Sequence, residues 1–151
     1  MQVSAKADYA VRALLELAAR GGGPVKGDEL SRAQDIPPKF LEAILTQLRQ
    51  SGLLNSRRGA EGGYWLADEA DHISLADIIR AVDGPLASVR GLQPEAVNYE
   101  GAAGRLTEVW IALRASLRAV LEEVSLADIL RGDLPPAVAA LLEDPGARMT
   151  R

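Results

Sequence analysis

The chain of 151 residues contains no cysteine, which excludes disulfide bonds, thiolate metal sites and thiol redox chemistry. Aromatic residues make up only 4% of the chain, so we expect a core of aliphatic side chains. Histidine occurs once, and we expect this residue, His72, to be a hydrogen-bonded surface residue. Because the sequence has no nucleophile–base pair, no metal-ligand spacing and no phosphate-binding glycine motif, it predicts neither an enzyme nor a cofactor.

Long apolar stretches are also missing. No run approaches the roughly 18 apolar residues that a membrane span requires. Residues 1–23 have a helical period and an early acidic residue, Asp8, unlike a signal peptide. We therefore expect a cytoplasmic protein without a membrane partner.

Positive charge is scarce, since the net charge is −4, but it is unevenly distributed. Residues 1–67 carry nine Lys or Arg against seven Asp or Glu, whereas residues 68–151 carry eight against fourteen. This asymmetry favours an N-terminal half that contacts nucleic acid and an acidic half that keeps the protein soluble.

Apolar side chains at helical spacing predict a helix from Ala5 to Arg20, with Ser4 as its N-cap. A short second helix is predicted from Glu29 to Gln34, capped by Asp28. Its expected inward-facing residues are Leu30 and Ala33. The prolines that follow prevent one continuous helix.

A third helix is predicted from Pro38 to the residues before Gly52. Its apolar face holds Phe40, Leu41, Ile44, Leu45 and Leu48. Its polar face holds Lys39, Glu42, Ala43, Thr46, Gln47, Arg49 and Gln50. Two short runs, 53–58 and 64–67, then predict a hairpin, because a glycine-bearing loop of five residues separates them.

A polar helix face followed by a hairpin with arginines at its tip is typical of a winged helix-turn-helix on DNA. In that interpretation Lys39, Thr46 and Gln47 contact bases or phosphates, and Arg57 and Arg58 reach the backbone or the minor groove. Phe40 would combine core packing with a contact at the helix start. The alternative is an ordinary helix and hairpin on a core, with both arginines merely solvated.

The C-terminal half predicts further helices. Ser74 begins one as a capping-box residue with Asp77. Residues 125–129 repeat residues 74–78 letter for letter, which two independently capped short helices explain. The longest predicted helix runs from Arg105 to Val124 and carries a short heptad seam. The seam residues are Leu106, Trp110, Leu113, Leu117 and Val120. A partner helix would cover such a seam; the alternative is that it folds back onto its own chain.

The segments KADYAVRALLELA, IPPKFLEAILTQLRQSGLLNSRRGAEGGYWLA and ISLADIIRAVDGPLA together resemble the IscR-like (BadM- or Rrf-type) family of bacterial transcription regulators. The resemblance spans about residues 1–132. It implies a mainly helical winged helix-turn-helix fold with a long dimerisation helix, a homodimer and an imperfect palindromic operator in double-stranded DNA. It also implies a DNA-contacting set, made of Lys39, Phe40, Ala43, Thr46, Gln47, Arg57, Arg58 and Gly59.

The sequence departs from the family pattern in four places. At the start of the third helix, Pro37 and Pro38 stand where the family commonly has a serine cap. Ala60 and Glu61 replace Pro and Gly at the wing, and Glu61 places a negative charge beside phosphates. Ala43 stands where a longer polar side chain often reads a base, and alanine can only touch a thymine methyl. In the loop 85–104, Gly91 and Gly104, with Thr107 just beyond it, stand near the positions of the family's iron–sulfur ligands, so we expect no cluster.

These observations divide the chain into a DNA-binding domain (1–84), a loop (85–104), a dimerisation helix with a short helix (105–132) and a C-terminal extension (133–151). The leading hypothesis is a homodimeric, sequence-specific DNA-binding regulator that responds to a small-molecule or protein effector. The alternative is a winged-helix protein-interaction module that binds a partner enzyme. DNA binding would separate the two.

Overall fold

The computed structural model describes residues 1–150; Arg151, the last residue of the predicted extension, lies outside them. The described residues form seven α-helices and one two-stranded sheet: α1 (Ala5–Ala19), α2 (Gly27–Gln34), α3 (Pro38–Gln50), β1 (Leu54–Arg57), β2 (Gly63–Leu66), α4 (Leu75–Asp83), α5 (Leu106–Leu121), α6 (Leu126–Arg131) and α7 (Pro136–Leu142). The predicted fold class, mainly helical with a small hairpin, is confirmed. Within these residues no helix combines the length and the apolar character needed to span a membrane.

The first helix begins where the sequence predicts. The Ser4 hydroxyl accepts the backbone N–H of Ala7 at 2.9 Å, which satisfies one of the free donors of the first turn. Three of the five buried residues on the inward stripe of α1 are alanines. The fully buried residues of α1 are Ala7, Ala10, Ala13, Leu14 and Leu17. Small side chains there let the neighbouring helices pack closely around α1.

The short second helix corrects two predictions. It begins at Gly27, its N-cap is Lys26, and Asp28 lies inside its first turn rather than capping it. Leu30 is fully buried as expected, but Ala33 is exposed. The next residue to enter the core is Ile36, after the chain turns at Asp35, whose φ is in the left-handed region.

The hairpin is shorter than predicted and is not isolated. Leu54 pairs with Leu66 at its base and Arg57 with Gly63 near its tip. Val25 adds a third antiparallel pairing, because its N–H donates to Tyr64 O at 2.9 Å and its carbonyl accepts the Tyr64 N–H at 2.8 Å. The segment before α2 therefore docks the hairpin onto the helical core.

Both capping boxes form. The hydroxyls of Ser74 and Ser125 accept the backbone N–H groups of Asp77 and Asp128, each at 3.1 Å. The two carboxylates accept the serine N–H groups in return, at 3.1 and 2.9 Å. The repeated pentapeptide thus builds the same helix start twice, as the sequence indicates.

The two helix starts are not independent, which corrects that part of the prediction. The Leu75 N–H donates to Val124 O and the Leu126 N–H donates to Ile73 O, both at 3.0 Å. Consequently α5 ends at Leu121, earlier than predicted, and Val124 is buried in this joint. Leu126 is fully buried in the same core cluster as α1 and α3, so α6 packs on the segment 1–84.

Candidate nucleic-acid interface

The polar face of α3 is open at the start of the helix, where Lys39, Phe40 and Ala43 are exposed, whereas Thr46 and Gln47 are half-buried. Its residues form one wall of an open concavity of about 560 Å³. The lining residues include Lys6, Lys39, Phe40, Ala43, Thr46 and Gln47. The structure thus brings together the five predicted contact residues of α3. Thr46 donates its hydroxyl hydrogen to Glu42 O of its own helix at 3.0 Å, so it can offer a partner only the acceptor lone pairs of that oxygen and its methyl group.

Phe40 does not pack into the core, and that part of its predicted role is wrong. Its side chain is 64% exposed at the start of α3, and Leu41 takes the core position beside it. An aromatic side chain left in water does not gain the free energy of apolar burial until a partner covers it. In the major groove such a ring can contact a thymine methyl.

Lys6 was missed from the sequence, where it reads as a first-turn residue of α1. It lines the same concavity as Lys39, and its ammonium group donates to Val82 O at 3.1 Å. An ammonium group has three donors, so two stay available for an anion. No sequence signal could have placed it beside α3, because the proximity depends on how α1 and α3 pack.

The wing tip presents the predicted basic residues. Arg57 donates to the carbonyl oxygen of Glu61 at 3.1 Å, which ties it across the turn. Arg58 is exposed, and within residues 1–150 its guanidinium makes no hydrogen bond or ion pair. Gly59 follows with φ +104 and accepts the N–H of Gly62 at 3.0 Å. Of the predicted pair, Arg58 is the side chain best able to reach a phosphate.

Two wing positions accept only glycine. A Cβ atom on Gly62 would lie 2.0 Å from the carbonyl oxygen of Arg57. A Cβ atom on Gly63 would lie 2.6 Å from the carbonyl oxygen of Val25, at φ +144. These close approaches let the turn fold over itself and the strand dock on Val25.

The predicted seam on α5 is only partly covered by its own chain. The helix has no fully buried residue, and all five seam residues are half-buried. Cavities of about 190 and 480 Å³ lie beside it. Leu117 lines the first with Ile79 of α4, and Trp110 and Leu113 line the second with Pro94.

The loop 85–104 is folded against α5. Val97 is 3% exposed, Trp110 donates its indole N–H to the Tyr99 hydroxyl at 3.2 Å, and Arg114 pairs with Glu95, one N–O distance being 2.9 Å. Hydrogen bonding from Arg114 holds the pKa of the Glu95 carboxyl below its usual value. These contacts hold the loop against α5.

The donor set of this loop does not fit an iron–sulfur cluster. Gly91 and Gly104 have no ligand atom, and the Thr107 hydroxyl is engaged as a donor to Val97 O at 2.8 Å. Within residues 1–150 no three His, Cys, Asp or Glu side chains are grouped so that they could hold a metal ion. His72 is an exposed residue bonded to Asp68 at 3.0 Å, as predicted. Thiolates, the ligands that such clusters need, are missing from the whole chain.

Comparisons with known proteins agree with this geometry. A family model described as "Rrf2: Iron-dependent Transcriptional regulator" matches residues 3–132. A Mycobacterium tuberculosis protein that carries the name HTH-type transcriptional regulator is 54% identical over 145 residues, covering 95% of this chain and 90% of that protein. The HTH-type transcriptional regulator CymR of Bacillus subtilis is 35% identical over 130 residues, covering 85% of this chain and 89% of that protein.

Two solved structures share the fold. The structure of B. subtilis CymR, the global cysteine regulator, aligns with a TM-score of 0.73 at 34% identity and covers 87% of this chain and 98% of that chain. The structure of T. potens IscR aligns with a TM-score of 0.69 at 30% identity and covers 100% of this chain and 93% of that chain.

Proposed function

The chain belongs to the Rrf2 family of transcriptional regulators, as its resemblance predicts, and we propose that it binds operator DNA as a homodimer without an iron–sulfur cluster. The family and the named relatives make it a regulator and not an enzyme. The observation that carries the proposal is the uncovered face of α3, where Phe40 is 64% exposed beside Lys39.

We assign different roles to helix and wing. Gln47 can pair its amide with adenine in the major groove, and Phe40 and Ala43 can contact thymine methyl groups. Lys39 and Arg58 neutralise phosphates, which supplies affinity but no sequence information. The acidic C-terminal half does not oppose this assignment, since only the local charge around α3 and the wing faces the duplex.

The homodimer would form through α5. A helix of 16 residues with an apolar seam and no fully buried residue leaves apolar area that a second copy can cover. Two recognition helices then lie about one helical turn apart, so the operator should be an imperfect palindrome of about 20 to 30 base pairs. Leu113→Asp should dissociate the dimer, because burying an unpaired carboxylate in the seam costs several kcal/mol.

Sedimentation at micromolar concentration tests the seam. The matched control is Ala115→Asp, an exposed position on the same helix outside the seam, which should remain dimeric. A Leu113→Asp variant that still sediments as a dimer would place the seam elsewhere.

The DNA contacts are tested on an operator recovered by pull-down of genomic fragments with the purified protein. Arg58→Ala should weaken binding on every duplex and flatten its salt dependence by about one phosphate equivalent per subunit. Gln47→Ala should cost about 1–3 kcal/mol on the operator and much less on random DNA. Gln93→Ala, in the loop before α5, serves as the control. Recovery of no DNA, with capture of a partner enzyme instead, would support the protein-interaction alternative.

The cluster-free proposal contrasts with the iron dependence named in the family description. We expect protein purified without oxygen to be colourless and free of stoichiometric iron and sulfide. Absorbance between about 400 and 500 nm, the range of thiolate-ligated clusters, would contradict it. In the cluster-free protein that we propose, the signal is a small molecule or a partner protein, and the protein acts in the cytoplasm.

A further inference from the structure

The contact nearest the wing tip comes from Lys26, the N-cap residue of α2. Its ammonium group donates to the carbonyl oxygen of Gly59 at 2.5 Å. The same carbonyl accepts the N–H of Gly62 at 3.0 Å, the bond that closes the turn. The charged Lys26 side chain therefore binds the Gly59 carbonyl that closes the turn, and Gly59 directly follows Arg58.

This contact differs from the others that hold the wing. The second strand of the wing is fixed by backbone bonds between Val25 and Tyr64, in which no side chain takes part. Within residues 1–150, Lys26 is the only residue outside the wing whose side chain donates a hydrogen bond to it. The tip itself is rich in glycine, so without an external contact it would sample many backbone conformations.

We infer that Lys26 is a positioning residue for operator binding, which holds the Gly59 carbonyl and so fixes the direction in which Arg58 leaves the wing. The inference rests on the proposed function, since it requires that the wing contacts DNA. A charge-assisted bond is stronger than a neutral one, and a turn held before binding loses less conformational entropy when Arg58 meets a phosphate.

The competing interpretation is that Lys26 contacts a phosphate directly. Its ammonium group has three donors, and one bond to Gly59 leaves two. Both interpretations predict weaker binding when the charge is removed. They differ in the effect expected when both residues are substituted together. A positioning residue acts only through the side chain that it positions, so its substitution should add nothing once Arg58 is gone.

The experiment compares Lys26→Met, Arg58→Ala and the double variant on the labelled operator duplex across a salt series. Methionine keeps the aliphatic stem of lysine and removes the ammonium group, which is both the donor and the charge. We expect Lys26→Met to weaken binding about threefold to tenfold, and Lys26→Arg to restore most of the loss. The double variant should bind no more weakly than Arg58→Ala within about twofold and should have the same salt slope.

A second measurement reports the positioning without DNA. Hydrogen exchange at the Gly62 amide should become faster in Lys26→Met, since the acceptor of that amide is no longer held. Arg148→Met, which removes an exposed cation from the C-terminal extension, should change neither the exchange nor the binding. Thermal unfolding shows that each variant is folded.

Three results would overturn the inference. Losses that multiply in the double variant, with a further slope reduction of about one equivalent per subunit, would make Lys26 a direct phosphate contact. Native affinity in Lys26→Met, while Arg58→Ala is weakened, would remove the positioning role and leave the proposed function intact. Unchanged hydrogen exchange at the Gly62 amide in Lys26→Met would likewise remove the positioning role and leave the proposed function intact. If Arg58→Ala itself binds like the native protein, the wing contact of the proposed function fails.

Discussion

Replacing Gly63 by alanine tests whether the wing depends on its docking to the segment before α2. The added Cβ atom would lie 2.6 Å from the carbonyl oxygen of Val25 and 2.9 Å from its nitrogen. Real Cβ atoms do not approach backbone atoms so closely, so one of the two segments must move. The movement separates Val25 from Tyr64, which are joined by two hydrogen bonds of 2.9 and 2.8 Å.

Two terms set the free energy of unfolding that Gly63→Ala should lose. A non-glycine residue at φ +144 stores about 1–3 kcal/mol of backbone strain. The two broken hydrogen bonds contribute about 0.5–1.5 kcal/mol each. The expected loss is therefore about 2–6 kcal/mol, which is a large part of the roughly 5–15 kcal/mol by which domains are stable. Gly22→Ala isolates the first term, because Gly22 has φ +118 and its Cβ would meet nothing within 4 Å.

Urea unfolding and operator binding together provide the assay. Gly63→Ala should lose more free energy of unfolding than Gly22→Ala, by about 1–3 kcal/mol. It should also lose operator affinity under conditions in which it is still folded, whereas Gly22→Ala should bind normally. Equal destabilisation in the two variants, with native binding by Gly63→Ala, would refute the idea that docking on Val25 fixes the wing.

Two further predictions concern the caps and the histidine. Ser74→Ala and Ser125→Ala should each lower the free energy of unfolding by about 1 kcal/mol, or about 2–4 °C in the unfolding temperature, whereas the exposed Ser116→Ala should change neither, as calorimetry would show. Because hydrogen bonding to Asp68 raises the pKa of His72 above its ordinary value, this pair stabilises the fold at acidic pH and loses its effect as pH rises through the raised pKa. An NMR titration of the single histidine should give a pKa that Asp68→Asn lowers, and an unchanged value in that variant would contradict the assigned cause.

Local chemistry accounts for what the sequence predicted well. Ser4 caps α1 and Ser74 caps α4 because each serine bonds an N–H three residues further on. Leu41, Ile44 and Leu45 face inward because the period of the helix requires it. Such features need no knowledge of the remaining chain.

Contacts between distant segments explain what the sequence did not predict. Phe40 was assigned partly to the core, but the inward stripe of α3 is complete with Leu41, and no neighbouring element covers the ring. Lys26 precedes the Gly59 carbonyl by 33 residues, so no helical or strand period connects them. Lys6 likewise reaches α3 only because α1 packs there.

The repeated pentapeptide shows, within one motif, what the sequence can predict and what it cannot. Each capping box is local, so the sequence predicted it correctly at Ser74 and at Ser125. The bonds between the two boxes join residues about 50 positions apart, and nothing local signals them. Because Leu126 N–H bonds to Ile73 O and its side chain is buried with the helices of the N-terminal half, the chain after α5 returns to the N-terminal core. The domain boundary predicted near residue 84 stays a prediction. The residues that follow α5 are hydrogen-bonded to residues that precede this boundary.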